Sequence, residues 1–423
     1  MKITAFRALE SRNYRLYFTG QSISLIGTWM QQTAASWLIY SMTHSTFMLG
    51  LGIFAARFPS FLLSLFGGVV SDRYDRYRVL LTTQIASAVQ AIILTLLVFW
   101  GKESVWQILV IGSLLGSINA FDVPARQSLV YELLEDKENL PNAIALNSSM
   151  LNLARLLGPA IAGIVLEYAG EGVCFLINAI SFIAVIISLL SMRLPKYVKP
   201  IRKQKAMADL KEGFTYIFNT PDIALVLLMV ACISLLVLPY ASLFPVYAKD
   251  IFVGSASTFG YLNSFIGLGA VSGAISLAFL RPGADLRKLL LIGTIILGVG
   301  LILFSHQTYF PLALVFATAA GFGTMSQTTI SNTILQTNAD LAMRGRVISF
   351  FAMAFFGMQP IGSLLAGALS EFIGAPNTIF LEGAIALVIA SLFALYLRKQ
   401  RLSAKVIAAD EELGSPQLES RGA

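Results

Sequence analysis

"GGVVSDRYDRYRVL", residues 67–80, separates two long apolar runs and carries five charged side chains. These are Asp72, Arg73, Asp75, Arg76 and Arg78. So much charge is costly in the hydrocarbon of a bilayer, whereas each flanking run is long enough to cross one. We therefore predict two membrane-spanning helices joined by a short loop at the membrane surface.

The composition indicates that the whole chain resides in a membrane. Of 423 residues, 56% are hydrophobic and 13% are charged, and the mean hydropathy is +0.74. Soluble domains carry about 25% charged residues, and long apolar runs in lipid must be helices. We predict an all-α membrane protein with twelve spans, at 16–41, 46–71, 79–100, 105–127, 142–168, 172–192, 222–248, 257–280, 286–305, 309–334, 347–372 and 377–397.

The basic residues predict the orientation of these spans. Of the 30 Lys and Arg residues, 25 lie on the side of the two termini. Only Lys102 and Lys249 lie opposite, and Arg57, Arg126 and Arg155 lie within spans. Cytoplasmic loops are enriched in Lys and Arg, so both termini are expected in the cytoplasm. The net charge of +7 comes from basic residues that lie almost entirely on one side of the predicted spans. This placement indicates a lipid bilayer as partner and no nucleic acid.

The widest gap between spans divides the chain into two halves. Residues 193–221 are basic and then apolar at helical spacing, which predicts a cytoplasmic linker with a short interfacial helix. The predicted units are a six-helix bundle at 1–192, this linker, a second six-helix bundle at 222–398, and a disordered cytoplasmic tail at 399–423. The stretches "AGIVLEYAG" (162–170) and "AGALSEFIG" (366–374) each end the fifth span of a half, as in a transporter built from repeats.

The charged loop resembles a signature of the major facilitator superfamily. Gly68-x-x-x-Asp72-Arg73-x-x-Arg76-x-Arg78 resembles G-x-x-x-D-R-x-G-R-[RK], with Asp75 where glycine is usual. The segments 119–134, 142–163 and 344–367 are similar to the branch that includes the enterobactin exporter and the transmembrane secretion effectors. The resemblance implies two pseudo-symmetric six-helix bundles in a bacterial inner membrane, with a substrate site between them.

The resemblance also implies a latch. An anion is favoured at a helix N-terminus, so Asp72 is expected against the start of span 11 near Val347. Asp122 and Arg126 lie four residues apart and share a helical face. They form either a local ion pair or, with Asp72, Arg73, Arg76 and Arg78, an inner gate.

Arg57 and Arg155 are the leading candidates for substrate contacts, because ionisable groups at membrane depth are costly. The alternative is a structural role in which each arginine binds backbone carbonyls. Polar side chains at helical spacing also occupy spans 1, 5 and 10, where they either line a cavity or join helices. The predicted substrate-binding residues are Arg57, Arg155, Gln21, Thr28, Gln31, Asn152 and Thr329.

The mode of energy coupling is suggested by resemblance alone. Gly158 and Pro159 resemble the Gly-Pro motif of antiporters and predict a bend in span 5. Span 4 lacks the arginine that is associated with proton coupling in related carriers. We expect the proton gradient to be the energy source, and we predict no cofactor. His44 and His306 lie too far apart in sequence to indicate a metal site.

The sequence as a whole predicts a carrier rather than an enzyme, and it shows no pattern typical of a catalytic triad. We predict a monomeric exporter of small amphiphilic molecules, siderophore-like or drug-like, that works by alternating access with proton antiport. A lysophospholipid flippase with a lateral opening and an importer of the same fold are alternatives. A membrane sensor or scaffold that does not transport is an alternative of another class.

Overall fold

The computed structural model describes residues 4–194, 206–281 and 283–414. The first half forms six long helices, preceded by a short 3-10 helix, Thr4–Glu10. The six helices are α1 (Arg12–Thr43), α2 (Thr46–Arg73), α3 (Arg76–Phe99), α4 (Val105–Leu133), α5 (Leu140–Ala169) and α6 (Glu171–Leu190). They run alternately between a terminal face, which holds Arg12 and Arg73, and a distal face, which holds Thr43 and Thr46.

The second half also crosses six times, but two of its crossings are irregular. After α7 (Ala206–Asn219), the seventh crossing consists of α8 (Pro221–Leu236), the 3-10 helix Leu238–Leu243, α9 (Phe244–Val246) and the π-helix Tyr247–Ile251. The regular crossings are α10 (Ala256–Ala278), α11 (Leu286–Ser305), α12 (Phe310–Asn338) and α15 (Ala375–Gly414). The eleventh consists of α13 (Arg344–Ala352), the π-helix Met353–Gly357 and α14 (Met358–Ile373).

Ten segments of the described chain are long and apolar enough to cross a membrane. The helices α1 and α12 are as long, but they are not among the ten. These two helices carry the polar residues that the sequence places at 3, 4, 3 spacing in spans 1 and 10. Polar side chains within a span must face protein or water rather than lipid.

Side-chain caps fix where several helices begin. In the charged loop, Asp75 accepts a hydrogen bond of 3.0 Å from the main-chain N–H of Tyr77 and caps α3. An acidic cap satisfies a free N–H of the first turn and complements the helix dipole. Asp75 therefore has a local structural role at the position where the signature has glycine.

The two bundles meet along two pairs of helices. Helix α2 of the first bundle packs on α14 of the second, and α5 packs on α10. Within the bundles, α2 packs on α4, α1 on α6, and α12 on both α10 and α11. Two six-helix bundles joined in this way form the predicted fold.

The linker and tail are partly described. Helix α7 lies within the predicted linker and packs on α13, where Glu212 and Arg346 form an ion pair of 2.8 Å. Residues 195–205 of the linker lie outside the described residues. The chain remains helical to Gly414, so the prediction of a disordered tail from residue 399 is wrong for residues 399–414. This segment is rich in Ala, Leu, Glu, Lys and Arg, which favour helix. Residues 415–423 also lie outside the described residues.

Candidate functional site

Two arginines from different helices of the first bundle lie at the interface with the second. Arg57 of α2 donates a hydrogen bond of 2.9 Å to Oε1 of Gln359 on α14. Arg155 of α5 lies over the indole of Trp29 on α1, with 5.5 Å between the guanidinium carbon and the ring centroid. That distance is within the range of a cation–π contact. We call the region around Arg57, Arg155, Trp29 and Gln359 the central chamber.

The chamber has an excess of positive charge. Arg57 and Arg155 are close enough to interact electrostatically. Within the described residues, neither arginine forms an ion pair with an acid. Arg155 is exposed although it lies in the middle of α5. Two neighbouring positive charges repel each other, and an anion between or beside them would offset this repulsion.

The second bundle contributes Tyr240 and Thr324 near the same level. Tyr240 lies in the 3-10 helix of the seventh crossing, within electrostatic range of Arg155. Its hydroxyl is 3.5 Å from Oγ1 of Thr324 on α12. Sequence reasoning missed Trp29, Gln359 and Tyr240. A signal was available for two of them, since Gln359 precedes Pro360 and Tyr240 follows Pro239, each near the middle of a span.

The structure places Gln21 and Gln31 away from the chamber. Gln31 donates to Gln90 of α3 at 3.2 Å and accepts from Asn178 of α6 at 2.7 Å. Gln21 accepts a hydrogen bond of 3.1 Å from Arg126 of α4. Both glutamines are buried within the first bundle. Their positions correspond to the alternative in which polar side chains join helices.

The other predicted polar contacts are less constrained. Thr28 donates to the carbonyl of Ser24, and Asn152 donates to that of Ser148, each within its own helix. Thr329 of α12 is half-buried, as are Thr28 and Asn152. Their role as substrate ligands stays a prediction.

Gly158 allows α1 and α5 to approach each other beside the chamber. A Cβ atom at this position would lie 2.4 Å from Cβ of Trp29, closer than any real side chain tolerates. The glycine therefore permits the packing that brings Trp29 beneath Arg155. Helix α5 is continuous through Pro159.

The predicted gate residues fall into separate groups. Arg76 forms an ion pair of 2.5 Å with Glu132, and Arg78 lies 3.5 Å from Asp75. The side chains of Asp72 and Arg73 form no hydrogen bond or ion pair with any part of the chain that the structure describes. Helix α2 packs along Met353–Ile373 rather than on the start of the eleventh crossing.

Asp122 and Arg126 form a local ion pair of 3.2 Å on α4. Thr83 and Gln84 of α3 donate to the other oxygen of Asp122, at 2.9 and 2.7 Å. All of these partners belong to the first bundle. The geometry favours the local ion pair over a network with Asp72.

The described hydrogen bonds between the bundles lie from the level of Arg57 to the distal face. Tyr40 of α1 donates to Asp250, in the last turn of the seventh crossing. Nearby, the ammonium of Lys249 lies 5.9 Å from the ring centroid of Trp37. The distal side is therefore closed in this structure. Among the described residues, no group of three or more His, Cys, Asp or Glu side chains is arranged to hold a metal ion.

Comparison with known proteins gives matches over nearly the whole chain. A family model described as transmembrane secretion effector matches residues 3–421. The staphyloferrin A transporter of Staphylococcus aureus is 25% identical, over 92% of this chain and 97% of the relative. The multidrug efflux pump Tap of Mycolicibacterium fortuitum is 25% identical over 87% and 91%. The enterobactin exporter EntS of Shigella flexneri is 26% identical over 92% of each chain.

Solved structures share the fold at low sequence identity. A POT family transporter, solved in complex with a thioalcohol-conjugated peptide, superimposes with a TM-score of 0.73 at 13% identity, over 92% of this chain and 96% of its own. A bacterial homologue of the human lysosomal transporter Spinster, in an inward-facing and unoccupied conformation, gives 0.70 at 13% identity, over 94% and 98%. The predicted architecture of two six-helix bundles is confirmed by these structures.

Proposed function

The chain belongs to the transmembrane secretion effector family of the major facilitator superfamily, and from this membership we propose that it exports small amphiphilic molecules. It is a multi-pass membrane transporter, and its family is one of transporters rather than enzymes. Export, proton antiport and the cytoplasmic position of the terminal face are parts of the proposal. Siderophore-like and drug-like compounds are the proposed substrates, since the named relatives include two siderophore transporters and a multidrug pump.

The observation that carries the proposal is the pair of arginines in the central chamber. Arg57 and Arg155 lie within electrostatic range of each other, and neither forms an ion pair with an acid of the described chain. A substrate with an acidic group would compensate their charge when it binds. Hydrogen bonds to charged groups contribute about 1.5–3 kcal/mol each, so this contact would provide much of the affinity.

Aromatic side chains beside the arginines account for the amphiphilic part of the substrate. Trp29 lies against Arg155, and Phe54 and Phe58 stack on α2 with ring centroids 4.5 Å apart. One turn further, Phe61 reaches Gly357 of the second bundle. Ligand sites commonly combine apolar walls with a few polar anchors. The chamber would therefore bind a molecule that has both a charged and an apolar part.

Alternating access would move the chamber between the two faces. The hydrogen bonds between the bundles close the distal side here, and Asp72 has no described bond at the terminal side. We take this form as open toward the cytoplasm. In the outward-open form, Asp72 would bind the start of the eleventh crossing, as the sequence predicts.

Efflux from proteoliposomes tests the proposal. The probes are staphyloferrin A, enterobactin and a fluorescent lysophospholipid, each loaded inside vesicles whose outer solution is made acidic. We expect the gradient to accelerate efflux of a siderophore. We expect Arg155→Ala to reduce the initial rate about tenfold, the effect of losing one charged hydrogen bond. Arg15→Gln, an exposed arginine at the terminal end of α1, is the matched control and should retain the wild-type rate.

Each outcome bears on a different part of the proposal. Equal efflux with and without the gradient would contradict proton antiport. Equal efflux from wild type and Arg155→Ala would remove the arginine from the substrate site. Movement of the lysophospholipid alone would replace siderophore export with the flippase alternative.

A further inference from the structure

The two copies of the sequence repeat end α5 and α14 at the distal face. Each copy ends on a glycine with positive φ, Gly170 at 78° and Gly374 at 83°, a backbone conformation that favours glycine. Three residues earlier each copy has an acid, Glu167 or Glu371, in the last turn of its helix. The helix dipole disfavours an acid at that position. A hydrogen-bond donor from another helix would offset this unfavourable interaction.

Glu371 has its partner at the start of a helix in the other bundle. Its Oε1 accepts a hydrogen bond of 3.1 Å from the main-chain N–H of Phe47, in the first turn of α2. The hydroxyl of Ser45, the residue that caps α2, donates to the same oxygen. The carboxylate of Glu371 is disfavoured by the C-terminus of its own helix, α14. The N-terminus of α2 compensates this by stabilising the same negative charge.

Glu167 has the corresponding partner in the opposite direction. Its Oε2 accepts a hydrogen bond of 3.0 Å from the hydroxyl of Ser255, the residue that precedes α10. Here the acid belongs to the first bundle and the helix start to the second. The two contacts therefore join the bundles in reciprocal fashion.

Glycines make the same packing contact below each acid. Gly367 and Gly163 occupy the same position in the two copies of the repeat, four residues before the acids. A Cβ atom on Gly367 would lie 3.1 Å from Cα of Gly50, and one on Gly163 would lie 3.0 Å from Cα of Gly260. Gly50 and Gly260 each follow, by five residues, the serine that precedes their helix. The helix backbones can approach this closely only because all four residues lack side chains.

Each half of the chain therefore carries both parts of one docking unit. We call the contact of Glu371 and Gly367 with Ser45 and Gly50 the first clasp. The contact of Glu167 and Gly163 with Ser255 and Gly260 is the second clasp. The repeat found in the sequence is the acidic part of both.

We propose that the two clasps are the distal gate of the transporter and that both release together when the distal side opens. The proposal rests on the alternating-access part of the proposed function. Glu167 and Glu371 act as positioning residues: they bind no substrate but set the balance between the two open forms. Distal opening separates α2 from α14 and α5 from α10, so neither clasp can persist in the outward-open form.

The two clasps differ in strength. Glu371 accepts from a main-chain N–H and a hydroxyl, whereas the described contact of Glu167 with α10 is to a hydroxyl alone. Loss of a charge at a helix N-terminus changes an equilibrium about twofold to fivefold. We expect Glu371→Gln near the upper end of this range and Glu167→Gln near the lower end. The double variant should raise the ratio of distal-open to distal-closed molecules about tenfold, because the free-energy changes at distant sites add.

Distances between spin labels in nanodiscs test the clasps. Lys102→Cys and Thr308→Cys place one label on each bundle at the distal face, and Glu138→Cys and Leu341→Cys do the same at the terminal face. The native Cys174 and Cys232 are replaced by alanine in every sample. Glu171→Gln removes another distal acid, one without a described bond to the other bundle, and is the matched control.

The expected result is a coupled change at the two faces. Glu371→Gln lengthens the distal distance and shortens the terminal distance, Ser45→Ala reproduces the shift, and Glu171→Gln gives the wild-type distances. Unchanged distances in the double variant Glu167→Gln with Glu371→Gln would overturn the proposal. So would a broadening at both faces without a coupled shift, which would indicate loosened structure. The measurement needs no substrate, so a negative efflux experiment would leave the clasps standing and contradict only the proposed export.

Discussion

The carboxylate of Glu371 accepts a hydrogen bond of 3.1 Å from the main-chain N–H of Phe47, and the two residues belong to different bundles. The contact lies at the distal end of α2 and the eleventh crossing. At the terminal end of the same two segments, the sequence predicts a contact of the same kind, with Asp72 against the start of the eleventh crossing. One pair of helices would thus have an acid-to-N-terminus contact available at either end.

Enlarging Gly50 should open the distal side. A Cβ atom there would lie 2.3 Å from the carbonyl oxygen of Ser363 on α14, and overpacking costs about 1–3 kcal/mol. We expect Gly50→Ala to raise the ratio of distal-open to distal-closed molecules at least fivefold, measured with the distal spin-label pair.

The matched control for that change is Gly112→Ala. Its Cβ atom would meet Cβ of Ala56 at 3.7 Å, an ordinary contact within the first bundle. This variant should give the wild-type distance distribution. An equal response to both substitutions would contradict the role assigned to the glycine contact between α2 and α14.

Removing the indole beneath Arg155 should weaken substrate binding. Trp29→Ala loses a cation–π contact of about 0.5–2 kcal/mol, and an apolar wall of the chamber with it. We expect the half-saturating substrate concentration in the efflux assay to rise about threefold to thirtyfold. Trp29→Phe keeps an aromatic face and should lose less.

Trp106→Ala is the control for the indole, because Trp106 is an exposed tryptophan near the distal end of α4. It should leave the half-saturating concentration unchanged. If Trp29→Ala behaves like Trp106→Ala, the chamber around Arg155 is not where the substrate binds.

The arginines and glutamines show which features of the site can be predicted from the sequence. Arg57 and Arg155 could be placed near mid-membrane by counting residues from the span ends, and in the structure they lie within electrostatic range of each other. The spacing of Gln21 and Gln31 predicts that both lie on one face of span 1. It cannot predict which neighbour that face meets, because the direction depends on how α1 packs against α3, α4 and α6.

The acids of the repeat illustrate the same limit. Glu167 and Glu371 occupy the same position in the two copies of the sequence repeat. An acid near a surface loop is common and needs no partner, so the letters alone indicate no function. Their partners are 88 and 326 positions away, at Ser255 and Ser45, and only the packing of the two bundles brings them together.

The ion pair of Asp122 and Arg126 should contribute to stability. Asp122 is buried, and the side chain of Arg126 is 18% exposed. Breaking a buried pair costs about 3–5 kcal/mol, so Arg126→Leu should lower the thermal unfolding midpoint in detergent by several degrees.

Lys288→Gln provides the comparison for a surface pair. Lys288 lies 3.8 Å from Asp285, and its side chain is 58% exposed. Exposed pairs contribute about 0–1 kcal/mol, so the midpoint should hardly change. A larger loss from Lys288→Gln than from Arg126→Leu would contradict the assignment of Asp122 and Arg126 as a structural pair.

The alternation between the two acidic contacts is tested most directly by measuring both faces in two opposite variants. Spin-label distances at the terminal pair, Glu138 and Leu341, and at the distal pair, Lys102 and Thr308, are recorded for Asp72→Asn and for Glu371→Gln. We expect opposite shifts: Asp72→Asn favours the form with an open terminal side, and Glu371→Gln favours the form with an open distal side. Shifts in the same direction, or no shift in either variant, would contradict a transporter whose two bundles alternate between these acidic contacts.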